Sequence, residues 1–155
     1  MNRRHLILMA AGGSALLLGG AFLFQSLGYA PCTMCLWQRW PHAIAIVLGV
    51  VGYLWPRAVV AVLGALAAFA TAAIGVFHAG VEWKFWPGPS SCTGGGSSLS
   101  GLSGSDLLST DIPETLVMCD EIVWQLFGLS MAGWNALLSF ALVALWIAAA
   151  TRPAR

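Results

Sequence analysis

Three long apolar stretches, the last interrupted only by Asn135 among strongly polar side chains, constrain this chain before anything else does. Residues 6–27, 58–81 and 129–150 hold 22, 24 and 22 residues without Lys, Arg, Asp or Glu. A helix that crosses the hydrocarbon core of a bilayer needs about 20 such residues. Composition agrees, since only 8% of residues are charged and 59% are hydrophobic, where a soluble domain carries about a quarter charged. A soluble globular protein and a disordered chain are both excluded. A net charge of +1 leaves no basic footprint for nucleic acid.

A fourth span is less clean. Residues 43–55 are too few to cross, and starting at residue 36 gives 20 but admits Gln38, Arg39 and His42. An Arg near a helix end can snorkel to the interface, whereas one at the centre costs several kcal/mol. Four spans also put both Arg-bearing termini on one side. The expected architecture is an all-α membrane protein, a four-helix transmembrane bundle in one integral domain over 1–155, with spans at about 6–27, 36–55, 58–81 and 129–150. Residues 82–121 form one long connection.

Orientation follows from Lys and Arg. Arg3, Arg4, Arg57, Arg152 and Arg155 fall on one side, against Arg39 and Lys84 on the other. This bias places both termini and the Pro56 turn in the cytoplasm and the 82–121 loop outside. A cleaved signal peptide over residues 1–30 is disfavoured, because a signal core is shorter than this first run. Trp37, Trp40, Trp83, Trp86 and Trp124 flank the outer rim, where an aromatic belt is expected. Gly64, Ala68, Ala72 and Gly75 give the third span one face of small side chains for close helix contact.

All four cysteines, Cys32, Cys35, Cys92 and Cys119, fall at or beyond that outer rim. The compartment outside a bacterial inner membrane is oxidising, so disulfide chemistry is the first expectation. Cys32-Thr33-Met34-Cys35 is a C-x-x-C, a spacing typical of redox-active pairs. Cys92 and Cys119 lie in the long loop, where 12 of the 16 residues 90–105 are Gly or Ser, the composition of a flexible coil. Zinc would want a second close pair or histidines at metal spacing, and the loop offers neither. Two inert structural disulfides remain an alternative, although a Gly/Ser-rich loop is a poor object to staple.

Arg39 follows Cys35 by four residues, so a helix brings both to one face. A guanidinium beside a thiol favours the thiolate, the reactive form. The competing role is headgroup anchoring. His42 lies another turn inward, and His78 sits near the outer end of the third span with Glu82 one turn beyond. Either histidine fits an interfacial anchor as well as a reactive group. The chain carries no dinucleotide fingerprint and too few cysteines for an iron–sulfur cluster. A dithiol at this depth therefore meets lipid-soluble quinone as its available electron acceptor.

Cys32-Thr-Met-Cys35-Leu-Trp-Gln-Arg39 at the head of the second span resembles the C-x-x-C-x-x-x-R of the DsbB family of bacterial inner-membrane proteins. The span order, His78, the loop cysteines and Cys119-Asp-Glu before the last span are similar too. The resemblance implies a quinone-dependent thiol oxidase that uses ubiquinone or menaquinone. Its implied partner is a DsbA-type periplasmic thioredoxin-fold oxidant. It implies a loop disulfide Cys92–Cys119 attacked at Cys92, exchange from Cys119 to Cys32, and donation from Cys35 to quinone held near Arg39 and His78. The long Gly/Ser insertion after Cys92 is a point of departure that bears on partner docking.

Two rivals share part of this pattern. A vitamin K epoxide reductase-like protein also has four core spans, but there the C-x-x-C follows the loop pair, the reverse of this order. A non-enzymatic scaffold with structural disulfides comes from a different class. A DsbB paralogue with a dedicated partner differs only in the loop surface.

Overall fold

The computed structural model describes residues 2–90, 92 and 117–153. The Gly/Ser-rich part of the loop, on which the flexible-coil expectation rested, lies outside the described residues. Four long helices account for most of the rest: α1 (Arg3–Ser26), α2 (Thr33–Leu54), α3 (Ala58–Glu82) and α4 (Met131–Thr151). Each is long and apolar enough to cross a membrane. They stand in a ring, α1 beside α2, α2 beside α3, α3 beside α4, and α4 closing on α1. The expected four-helix transmembrane bundle is the observed one.

The helices run past the apolar runs where a local cap extends them. α2 begins at Thr33 rather than at 36, because the Cys32 side chain accepts from the Cys35 N–H and serves as the N-cap. α1 is capped by Asn2, whose side chain accepts from His5 N. The all-α expectation needs one amendment. Gln125–Leu126 and Leu129–Ser130 form a two-residue antiparallel pair just before α4. Phe127 and Gly128, the two turn residues, have φ of 52° and 78°. Positive φ at both central positions is the mark of a type I′ hairpin turn, which Gly at the second position accommodates. The hairpin delivers Ser130 to cap α4, accepting from Gly133 N at 3.2 Å.

Packing through the bundle depends on small residues. Gly64, Ala68, Ala72 and Gly75 are all buried on α3, as the small-residue face requires. Trp146 of α4, fully buried, lies where a Cβ on Gly64 would stand, 2.5 Å from its ring. Gly75 lets the α4 backbone approach, with Ala132 O 3.1 Å from the position of a Cβ. Lipid supplies no hydrophobic drive between helices, so such contacts carry the association. At the end bearing both termini, Arg3 donates to Pro56 O at 2.7 Å and to Ala149 O at 3.0 Å. One guanidinium thus joins the start of α1, the α2–α3 turn and the end of α4, satisfying a carbonyl that a helix terminus leaves open.

Gly64→Val puts a branched side chain into the Trp146 ring. It is expected to destabilise the bundle by about 1–3 kcal/mol, the usual cost of overpacking. Thermal unfolding of the detergent-solubilised variant, followed by Trp fluorescence, measures this as a lowered midpoint.

Candidate functional site

The opposite end of the bundle gathers the sulfur atoms. Cys92 and Cys119 are disulfide-bonded, with Cα atoms 5.3 Å apart, and Cys119 N donates to Cys92 O at 2.7 Å. Cys32 and Cys35 are free. Cys32, Cys92, Cys119, Met34 and Val81 form one buried cluster, with Cys35 and Val117 packed against it. The Cys32, Cys92 and Cys119 sulfurs all lie within 4.8 Å of one another. Cys32 Sγ is 2.9 Å from Cys35 Sγ. The sequence-derived cysteines therefore converge.

The C-x-x-C geometry is asymmetric. Cys32, at the N-cap, is buried, accepts from Cys35 N at 3.2 Å, and faces His78 Nε2 at 3.5 Å. Cys35, in the first turn of α2, is half-buried. The hydrogen bond to Cys35 and then burial push the Cys32 thiol above its ordinary value, which favours its protonated form. The positive end of α2 favours negative charge in its first turn.

His78 is held by a polar network that joins three helices. Gln38 Nε2 donates to Met34 O at 3.2 Å and to His78 Nδ1 at 2.9 Å. Gln38 Oε1 accepts from Asn135 Nδ2 at 2.7 Å. Asn135 Nδ2 also donates to Thr71 Oγ1 at 3.1 Å, and the Thr71 hydroxyl donates to Gln38 O at 3.1 Å. The proton positions follow from this chain. An amide nitrogen fills His78 Nδ1, so the His78 proton sits on Nε2, directed at Cys32 Sγ. Glu82 Oε1 lies 3.9 Å from the same nitrogen, and the other Glu82 oxygen accepts from Ser130 Oγ.

Beside this cluster a cavity of about 350 Å³ opens among α1, α2, α4, the outer end of α3 at His78 and Glu82, and the segments before α2 and α4. Leu16, Leu17, Gly20, Ala21 and Phe24 give it an apolar α1 wall, while Cys35, Gln38, Arg39, His42 and Asn135 supply polar groups. Arg39 Nη1 donates to Gln25 Oε1 at 2.8 Å, and its guanidinium lies 4.8 Å from the Phe22 ring centroid. Arg39 therefore spans from α2 to α1. Its Nε is buried and without a protein partner, as is Nδ1 of His42. A mostly apolar wall with a few convergent polar atoms is the usual make-up of a site for a small organic molecule. Both the apolar lining and the free Arg39 Nε–H fit a lipid-soluble quinone.

Sequence reasoning treated Gln38 only as an awkward polar residue and Asn135 only as an interruption, and it did not single out Thr71 or Ser130. All four belong to the network. The usable signal was present: a strongly polar side chain within a span is by default a functional-site residue.

Comparison with known proteins places the chain. The family model described as "Disulfide bond formation protein DsbB" matches residues 3–149. A "Disulfide bond formation protein B" from Verminephrobacter eiseniae is 33% identical over 151 residues, covering 95% of this chain and 84% of the relative. A protein of the same name from Azoarcus sp. is 35% identical over 157 residues, covering 94% and 92%. "Disulfide bond formation protein B 2" of Pseudomonas aeruginosa is 32% identical over 152 residues, covering 93% and 88%. No solved structure matches the chain.

With the Cys32–Cys35 pair reduced, Cys35 is expected to alkylate before Cys32, because the thiolate is the nucleophile and Cys32 retains its proton. Mass spectrometry of peptides after a brief iodoacetamide pulse reads the order directly.

Proposed function

This chain belongs to the DsbB family of disulfide bond formation proteins, and on that premise we propose that it oxidises a DsbA-type periplasmic dithiol protein and delivers the electrons to membrane quinone. The whole chain acts as one integral unit of the bacterial inner membrane, with termini in the cytoplasm and residues 82–121 in the periplasm. The Arg3 contacts are consistent with that orientation, since they group the start of α1, the Pro56 turn and the end of α4 at one end.

The observation that carries this reading is the continuity of sulfur from the loop to the cavity. The Cys92–Cys119 disulfide touches Cys32, Cys32 touches Cys35, and Cys35 lines the apolar cavity. Thiol–disulfide exchange needs a thiolate in reach of a disulfide sulfur, and proceeds by one mixed disulfide at a time. In the proposed sequence a thiolate of the partner attacks Cys92 and releases Cys119. Cys119 then attacks Cys32 of an oxidised Cys32–Cys35 pair, releasing Cys35 as the thiolate. Resolution by the partner's second thiol frees Cys92, and the closing of Cys92 on Cys119 frees Cys32. The net transfer is two electrons and two protons, from the partner's dithiol to the Cys32–Cys35 couple.

Each flanking group has a defined task. His78 Nε2–H donates toward Cys32 Sγ and steadies that sulfur as it gains charge. Arg39, with Nε–H unpartnered at the cavity wall, binds a carbonyl oxygen of the acceptor, which is ubiquinone or menaquinone. Quinone, when bound, accepts two electrons and two protons. The helix N-terminus holds Cys35 as the donating thiolate. Removal of electrons into the quinone pool draws an otherwise near-balanced exchange forward.

Cys35→Ser is expected to abolish reduction of a soluble quinone by the purified protein supplied with a reduced DsbA-type partner. Absence of quinone-dependent thiol loss in the parent protein would favour a non-enzymatic scaffold with structural disulfides, and retention of quinone reduction by the variant would remove Cys35 from the relay. Arg39→Ala removes a charged hydrogen bond, so the KM for quinone should rise about tenfold with kcat at saturating quinone much less changed. Absorbance of quinone against its concentration separates the two effects.

A further inference from the structure

His42 takes no part in the mechanism above, yet it lines the same cavity. It is 3% exposed, three residues beyond Arg39 on α2. Its Nε2 lies 2.9 Å from Asn135 Oδ1. The Asn135 amide is oriented independently of His42, because its nitrogen is committed to Gln38 Oε1 and Thr71 Oγ1. An amide oxygen only accepts, so His42 must carry its proton on Nε2 and donate it there. The neutral ring is left with a lone pair on Nδ1, and this atom is buried without a partner. An unsatisfied buried acceptor is costly unless something supplies a donor.

Arg39 presents the complementary atom. Its unpartnered Nε–H is a donor, and the two residues stand almost one helical turn apart, a rise of about 4.5 Å. Both side chains line the same cavity. We propose that His42 Nδ1 accepts a hydrogen bond from a hydroxyl of the reduced, hydroquinone form of the acceptor, so that the Arg39–His42 pair binds hydroquinone more tightly than quinone. A quinone carbonyl offers Nδ1 no proton, whereas a hydroquinone hydroxyl does. The inference rests on the quinone reading and assigns His42 and Asn135 a role in it that the thiol relay does not.

Selective binding of the reduced form makes the bound acceptor a stronger oxidant. The reaction concerned is dithiol plus quinone giving disulfide plus hydroquinone, with two electrons and two protons transferred. A tenfold preference corresponds to about 30 mV for such a two-electron couple. Asn135 is a positioning residue here, because it acts only by fixing which His42 nitrogen carries the proton.

The test measures binding without turnover. Full-length protein carrying Cys35→Ser is titrated with a short-tailed 1,4-benzoquinone and separately, under anaerobic conditions, with its hydroquinone. Quenching of tryptophan fluorescence reports occupancy, since Trp124 and Trp134 line the cavity. His42→Met and His42→Phe remove the nitrogen; His42→Gln keeps a polar group at the site. The Met or Phe variant should weaken hydroquinone binding about tenfold and quinone binding less than threefold, with Gln intermediate. Equal weakening of both forms, or no change in either, overturns the proposal. If Met and Phe both fail to fold while Gln folds, His42 serves packing and the proposal falls. If the parent protein binds neither form, the quinone reading fails with it.

Discussion

The Gln38 side chain fixes the outer half of this bundle. Within a membrane, polar groups have no water to fall back on, so those carried by spanning helices must satisfy one another. Gln38 uses its amide nitrogen on its own helix and on α3, and its oxygen on α4. One planar group thereby sets the relative placement of three helices. It also settles two things that packing alone would leave free, the tautomer of His78 and the orientation of Asn135. The contact between His78 Nε2–H and Cys32 Sγ is a consequence of an amide on a neighbouring turn.

The rest of the bundle is built differently. Below the network, association depends on close backbone approach, with Trp146 filling the space that Gly64 leaves open. At the far end Arg3 joins three segments through carbonyls. These contacts hold α3 and α4 tightly and leave the outer parts of α1 and α4 to part around the cavity. Gly20 of α1 borders that cavity, with nothing within 4 Å of where its Cβ would stand. Close packing at one end and a pre-formed apolar space at the other leave that space open beside a thiol.

The helices were legible because hydrophobic length is a one-dimensional signal, and 20 apolar residues leave few other folds. The four cysteines were legible as a group for the same reason: topology alone brings them to one rim. The network was not. Gln38, Thr71 and Asn135 are distant in the chain, and no spacing rule links residues on three helices. His42 was noted as one turn inward of Arg39, but its donor and acceptor roles depend on Asn135, 93 residues away. The start of α2 was misjudged because a cysteine caps it, and the I′ hairpin was missed because Phe-Gly is not among the strongest turn pairs. Arg39 lines the same cavity as the Cys35 thiol, and its reach to Gln25 and Phe22 on α1 is a contact that no spacing rule on α2 could give.

The placement of the loop disulfide bears on how exchange at two surfaces is kept in order. Cys92 is 4% exposed and Cys119 is fully buried, both against Cys32. Exchange requires access to the sulfur attacked, so in this arrangement the disulfide faces inward and is closed to an external thiolate. Lys84, at the end of α3, reaches Asp120, the neighbour of Cys119, with Nζ 2.6 Å from Oδ2 and 2.9 Å from the backbone oxygen. The hydrogen bond from Lys84 holds the half-buried Asp120 carboxyl below its ordinary range. Exposed pairs of this kind contribute about 0–1 kcal/mol. The described arrangement is thus the one suited to exchange between this disulfide and Cys32, with both sulfurs packed in the same buried cluster.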